Sequence, residues 1–199
     1  MKQKTINLYQ FKELTKEQQK KVIEKYKDFN DDLTCDLINY DDTHITKLEE
    51  QGFLNPVISY SLSYCQGDGV CFDCNDFNFE LLLKDFKCKH KQWIINILDN
   101  YCDCAIHKNS YATHYCHKRT RYFEINTYGL DCNYKEHQRI LNIIEDIDSY
   151  IESLRLYACD ELEENLRTDI DYLTSDEAIT EALIANEYYF NGETLEIEY

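Results

Sequence analysis

Residues 57–72 read VISYSLSYCQGDGVCF. Up to Cys65 the side chains alternate. Ile58, Tyr60, Leu62 and Tyr64 fall on one face of an extended chain, and Ser59, Ser61, Ser63 and Cys65 on the other. Gln66-Gly67-Asp68-Gly69 follows, then Val70-Cys71-Phe72. Glycine accepts a positive φ, and an Asp side chain bonds nearby backbone, so the QGDG segment reads as a reversal of direction. The two flanking runs then form an antiparallel hairpin. A phosphate loop of the P-loop type requires Lys-Ser/Thr at a helix start. Val-Cys-Phe stands there instead, which excludes that reading. Loop residues on a rigid hairpin often carry function, so Gln66 and Asp68 stay candidates for ligand contact.

The rest of the chain is read outward from this hairpin. Phe77, Phe79, Leu81 and Leu83 recur at period two, which extends an irregular return strand to residue 83. Upstream, residues 4–11 have strand composition. Thr15 with Gln18 is a capping-box pattern opening a helix over 16–29, with Val22, Ile23 and Tyr26 inward. A shorter helix over 43–51 closes at Gly52. Downstream, Trp93, Ile94, Ile97, Leu98 and Tyr101 predict a helix over 91–106, and residues 113–127 a strand. Ile140, Ile144, Ile147, Ile151, Leu154, Ala158, Leu162, Leu166, Ile170 and Leu173 form one slowly drifting apolar stripe, which predicts a helix over 135–172. Residues 174–177, TSDE, read as a second capping box opening a helix to about residue 186. Asn191-Gly192 is a hairpin signal between short strands. The expectation is a single domain over residues 1–199 of the α+β class. It has an antiparallel sheet with packed helices, including one long acidic helix in the C-terminal half.

Charge is distributed unevenly. The chain of 199 residues carries 38 acidic and 21 basic groups, net −17. Residues 84–121 are nevertheless net +5, and residues 145–199 are net −15. A field of that sign repels nucleic acid in general and attracts basic surfaces. The N-terminal MKQKTINLYQF lacks the apolar run of a signal peptide, and no segment reaches the length of a membrane span. The expectation is an intracellular protein with no membrane partner. In that setting its ten cysteines are thiols or metal ligands rather than disulfides.

Four groups of residues could carry chemistry. Cys71-x-x-Cys74 has zinc-ligand spacing, and Cys102-x-Cys104-x-x-His107 lies downstream. The downstream spacing departs from a paired CxxC ribbon, so we expect no cofactor, with zinc on these five residues as the alternative. Cys116 and His117 are adjacent, which on a strand points them apart and argues against a thiol–imidazole pair. Lys84, Lys87, Lys89, His90 and Lys91 interleave with Phe86 and Trp93, and Lys118, Arg119 and Arg121 adjoin Tyr122 and Phe123. Cations beside aromatic rings suit single-stranded nucleic acid, against which stands the net charge. Finally, Glu152, Asp160, Glu161, Glu163, Glu164, Asp169 and Asp171 stud the long helix with carboxylates.

Several motifs occur together in a recognisable order. Phe11-Lys12-Glu13-Leu14-Thr15 opens the chain's first helix, QGDG ends the hairpin's first strand, His114-x-x-His117 follows, and Ser175-Asp176-Glu177-Ala178-Ile179-x-Glu181 precedes Asn186-Glu187-Tyr188-Tyr189-Phe190. In this the chain resembles a group of short proteins from bacteriophages and prophages of bacteria with AT-rich genomes. The resemblance implies a phage gene product at work in the host bacterial cytoplasm, and it implies no reaction. It draws attention to Tyr64, Gln66, Gly67, Asp68, Gly69, His114 and His117 as ligand-binding candidates. The cysteines at 71, 74, 102, 104 and 116 depart from the pattern. The leading expectation is an interaction protein, not an enzyme, that inhibits a host defence complex in the manner of an anti-CRISPR. Its acidic helix would present a nucleic-acid-mimicking surface to the basic channel of a host protein or nucleoprotein such as a CRISPR effector. The alternative is a small metal- or nucleotide-binding protein or enzyme centred on QGDG and His114/His117.

Overall fold

The computed structural model describes residues 7–35, 37, 42–62, 67–110, 115–127 and 134–198. Helices and antiparallel strands alternate along it, and the class is α+β. The described elements are β1 (Leu8–Gln10), α1 (Lys16–Lys25), α2 (Asp31–Cys35), α3 (Thr43–Gln51), β2 (Phe53–Leu54), β3 (Val57–Ser61), β4 (Gly69–Asp73), β5 (Asp76–Phe77), α4 (Phe79–Leu82), α5 (Lys91–Tyr101), β6 (Asp103–Lys108), β7 (Arg121–Asn126), α6 (Tyr134–Leu173), α7 (Asp176–Ala185), β8 (Tyr189–Asn191) and β9 (Ile197–Glu198). Two 3₁₀ turns, Phe11–Glu13 and Lys118–Thr120, complete them.

The chain divides into two compact units, Met1–Leu37 with Leu166–Tyr199, and Ile38–Asn165. The smaller unit is built from the two ends of the chain. β8 pairs antiparallel with β1 on one side and β9 on the other. Phe11, Leu14, Val22, Ile179, Leu183 and Phe190 form its buried cluster. The Phe190 ring meets Phe11 and Tyr26 edge-on, at centroid distances of 6.2 and 6.1 Å. Thr15 and Gln18 make the reciprocal bonds of a capping box at the start of α1. The helix ends at Lys25 rather than at residue 29; Phe29 instead packs edge-on against Tyr188.

The larger unit holds the hairpin. β3 and β4 pair antiparallel in the register Val57↔Asp73 to Ser61↔Gly69, as the alternation and the glycines predicted. β4 is buried along Gly69–Phe72. The main-chain N–H of Ile106 donates to the Cys74 carbonyl at 2.8 Å and ties β4 to β6, which pairs with β7. Phe53, Phe72, Phe77 and Phe123 interlock edge-to-face.

Two expectations are corrected here. The return strand does not continue to residue 83. Asn78 accepts a hydrogen bond from Leu81 N–H and starts the short helix α4, so Phe79, Leu82 and Leu83 are buried at helical spacing. The helix predicted over 91–106 stops at Tyr101, and Asp103–Lys108 forms strand β6. The long helix spans Tyr134–Leu173, with Ile140, Ile144, Ile147, Ile151, Ala158 and Leu162 buried in the larger unit. Among the described residues, no helix is long and apolar enough to cross a membrane.

Candidate functional site

The site is built on two glycines. Gly67 and Gly69 have φ of +94° and +151°, a region that side-chain-bearing residues rarely adopt. Ser61 Oγ donates to Asp68 Oδ1 at 2.6 Å and closes the mouth of the loop. The missing side chains matter as much as the φ angles. A Cβ at Gly67 would lie 2.3 Å from Cδ1 of the Tyr115 ring. A Cβ at Gly69 would lie 3.2 Å from Glu163 Oε2, 3.2 Å from His117 Cδ2 and 3.3 Å from the Cys116 carbonyl oxygen. Three segments remote in sequence therefore converge on the hairpin: residues 67–69, residues 115–117 and the carboxylate of Glu163 on α6.

His117 is held by backbone. It caps the 3₁₀ turn Lys118–Thr120, and its Nδ1 accepts the Arg119 N–H at 3.1 Å. The neutral ring then carries its proton on Nε2. Its carbonyl accepts both the N–H and the hydroxyl of Thr120, each at 2.7 Å. Cδ2, adjacent to Nε2, faces Gly69. Cδ2 and Glu163 Oε2 lie at the same distance from one point, so they cannot be further apart than twice that distance. The result is an imidazole N–H donor, a carboxylate acceptor and a carbonyl acceptor around a floor without side chains. Tyr115 is 54% exposed, which leaves an aromatic surface open beside them. Arg119 is exposed at the rim.

Ion pairs brace this region from below. Arg121, buried, donates Nε to Asp73 Oδ1 at 2.5 Å and Nη2 to Oδ2 at 3.0 Å, which locks β7 to the end of β4. Lys118 pairs with Asp160 of α6. Arg155, fully buried, donates Nε and Nη2 to the two oxygens of Glu152 at 2.7 and 2.6 Å, and the same Glu152 accepts the Phe123 N–H at 3.0 Å. Cys71 lies in β4 behind the glycine floor, and burial pushes its thiol up against the opposing pull of Arg121.

The sequence candidates separate in this frame. Gly67, Asp68, Gly69 and His117 come together; Tyr64, Gln66 and His114 lie outside the described residues. Tyr115 and Glu163 complete the site. Tyr115 was not singled out from the sequence, and Glu163 was assigned to an acidic surface. No local signal marks Tyr115 as a neighbour of Gly67 or Glu163 as a neighbour of Gly69, because the contacts bridge some fifty and ninety residues of chain.

The sulfur and imidazole groups of the zinc alternative do not assemble. Cys74 Sγ donates to the carbonyls of Leu54 and Asp76 at 3.2 and 3.0 Å, so its thiol is spent on backbone. Cys102 packs on Ile97, Ile140 and Ile144. Cys104 and His107 sit three apart on β6 and so face opposite ways, with His107 Nε2 3.7 Å from Glu124. Among the described residues, no three His, Cys, Asp or Glu side chains gather to hold a metal.

The carboxylates of α6 also differ from one another. Glu152 and Asp160 are engaged as described, and Gln51 Nε2 donates to Glu161 Oε2 at 3.4 Å. Glu163 borders Gly69, and Glu164 is exposed. Asp169 and Asp171 belong to the smaller unit.

The motifs quoted from the sequence divide by what they do in the fold. In Phe11–Thr15 the first and fourth residues are core and Thr15 is a cap. In Ser175–Ile179 the serine caps α7, and Ala178 and Ile179 are buried. Packing accounts for these two motifs. The glycines of QGDG and the second histidine of H-x-x-H instead meet each other, with Gly67 and His117 half-buried and Gly69 buried beneath them. No protein-family model matches the chain, and neither a curated protein nor a solved structure matches it.

Proposed function

We propose that the larger unit binds a small polar ligand of the nucleotide class on the glycine hairpin, the protein working as a phage product in a bacterial host cytoplasm. The convergence of His117 and Glu163 on Gly69 carries this reading. Half-buried Gly67 leaves backbone without a side chain beside the exposed Tyr115 ring. The His117 Nε2–H suits a phosphate or carbonyl oxygen, Glu163 suits a sugar hydroxyl or base amine, and the Tyr115 ring suits a base face. Arg119 adds a cation at the rim. The test is a panel of nucleosides and mono-, di- and triphosphates scored by thermal stabilisation and titration calorimetry. One class should stabilise the protein, and Glu163→Gln, which removes the charge without adding volume, should weaken it at least tenfold while circular dichroism stays unchanged. If no nucleotide stabilises the wild-type protein at millimolar concentration, the reading falls.

A second reading keeps the acidic, nucleic-acid-like inhibitor of a basic host complex. It is favoured by the 17 acidic against 2 basic groups in residues 145–199 and by the exposure of Asp160, Glu164 and Asp171. Glu152, held by Arg155 and Phe123, serves the fold in either case. Pull-down from host lysate with the wild-type protein and with Glu161→Lys/Glu164→Lys/Asp171→Lys separates the two. A defence nuclease retained by the first and released by the second supports the inhibitor; equal retention by both sinks it.

A further inference from the structure

The basic segment 84–93 is not absorbed by the glycine site. It contains Lys84, Lys87, Lys89 and Lys91 against one acid, Asp85, in a chain of net charge −17. Its conformation is built rather than incidental. The Phe86 N–H donates to the Leu83 carbonyl at 3.0 Å, and the Phe86 ring packs on Tyr150 of α6 at a centroid distance of 5.1 Å. Lys91 Nζ donates to the Lys84 carbonyl at 2.8 Å and ties the loop's two ends together. The loop is thus anchored by one ring and one cation, while Lys84, Lys87, Lys89 and His90 stand exposed. None of these lysines is ion-paired to a carboxylate among the described residues, although carboxylates outnumber cations almost two to one in the chain. Directly after the loop, on the first turn of α5, Trp93 is 49% exposed.

We propose that this surface binds single-stranded nucleic acid, the lysines meeting successive phosphates and Trp93 stacking on a base. An exposed indole beside an unpaired cationic loop has the two parts such a surface requires: a π platform that accepts any base and a positive track for the backbone. The overall negative charge does not forbid it. At physiological salt, exposed charges beyond about 8 Å are largely screened, so the local sign decides contact. Glu80 and Asp99 are the acids that bound the patch in sequence, and Asp85 lies within it; Gln92 Nε2 donates to Glu80 at 3.4 Å. The surface is separate from the Gly69 site, and either can fail without the other.

Trp93 is the chain's only tryptophan, so intrinsic fluorescence reports on this surface alone. The experiment titrates the full-length protein with oligothymidylate at low salt. The expected result is quenching of Trp93, with an affinity whose logarithm falls with log salt at a slope of about −2 for three phosphate contacts. Lys87→Glu/Lys89→Glu should lower the affinity at least tenfold. Lys16→Glu/Lys20→Glu, the same change of net charge in the smaller unit, should leave it within twofold. The neutral pair Lys87→Gln/Lys89→Gln gives an intermediate loss and covers misfolding of the reversal. Absence of quenching overturns the proposal. So does quenching that both reversals weaken equally, and so does a fluorescence response to anionic phospholipid vesicles with none to the oligonucleotide.

Discussion

Burial holds several thiols in their protonated form. Cys74 is pushed up to about 11, and Cys104 and Cys159 to about 12, each from an ordinary 9.0 and each mainly by loss of solvent. For Cys104 the neighbouring Cys102 and Asp103 add to the rise, whereas for Cys159 the Arg155 guanidinium opposes it. At neutral pH none of these three supplies a thiolate nucleophile. The consequence for stability has a definite sign. Below about pH 9 the groups are protonated whether the chain is folded or unfolded, and they contribute no pH dependence. Above it the unfolded chain loses protons that the folded chain keeps, so stability falls as pH rises toward the folded values. Each group contributes a slope of about 1.4 kcal/mol per pH unit in that window. Urea unfolding between about pH 8 and about pH 11 should show this decline, and Cys104→Ala should make it shallower. A profile flat above pH 9 would contradict the burial of these thiols.

At the level of elements, local rules succeeded where both partners of an interaction lay within one turn. The Thr15–Gln18 box, the left-handed Gly52 after α3 and the apolar stripe of α6 were all legible in the sequence. The second box shifted by one residue. Thr174 was its expected first member, but the Thr174 hydroxyl donates back to Ile170 at 2.8 Å and extends α6, and Ser175 caps α7. Ser175→Ala should therefore cost about 1 kcal/mol in chemical denaturation, and Thr174→Ala clearly less; the reverse order would restore the sequence reading. Two other misreadings share a cause. Phe77, Phe79, Leu81 and Leu83 satisfy period two, while Phe79, Leu82 and Leu83 satisfy a helical turn, and only the Asn78 cap decides between them. Cys102–Ile106 continues the apolar spacing of α5, and its strand character comes from pairing with β7, a partner some twenty residues away. The candidate site was half legible for the same reason. Its glycines announce a turn locally, but Tyr115 and Glu163 reach them only through the tertiary fold.

For the whole molecule the governing quantity is where charge sits rather than its total. Residues 145–199 hold net −15 and residues 84–121 net +5, so the chain is acidic in one stretch and basic in another. Both proposed macromolecular contacts are electrostatic, and both weaken with salt. They differ in the sign of the partner: a cationic protein for the carboxylates of α6, an anionic strand for the lysine loop. Reversing the three acids should therefore leave Trp93 quenching by oligothymidylate intact or slightly strengthened, and reversing Lys87 and Lys89 should not release a basic partner.

The smaller unit joins residues 1–37 to residues 166–199, with β1 paired to β8 across most of the chain's length. On a ribosome this imposes an order of events. Phe11, Leu14 and Val22 emerge early, yet Ile179, Leu183 and Phe190, which cover them, are the last to be made. The inserted unit has all of its residues first and can close on its own while the beginning of the chain waits with apolar surface uncovered. The amino-terminal segment is thus the part of a nascent chain most exposed to chaperones and proteases, and loss of the last few dozen codons removes half of a core laid down at the start.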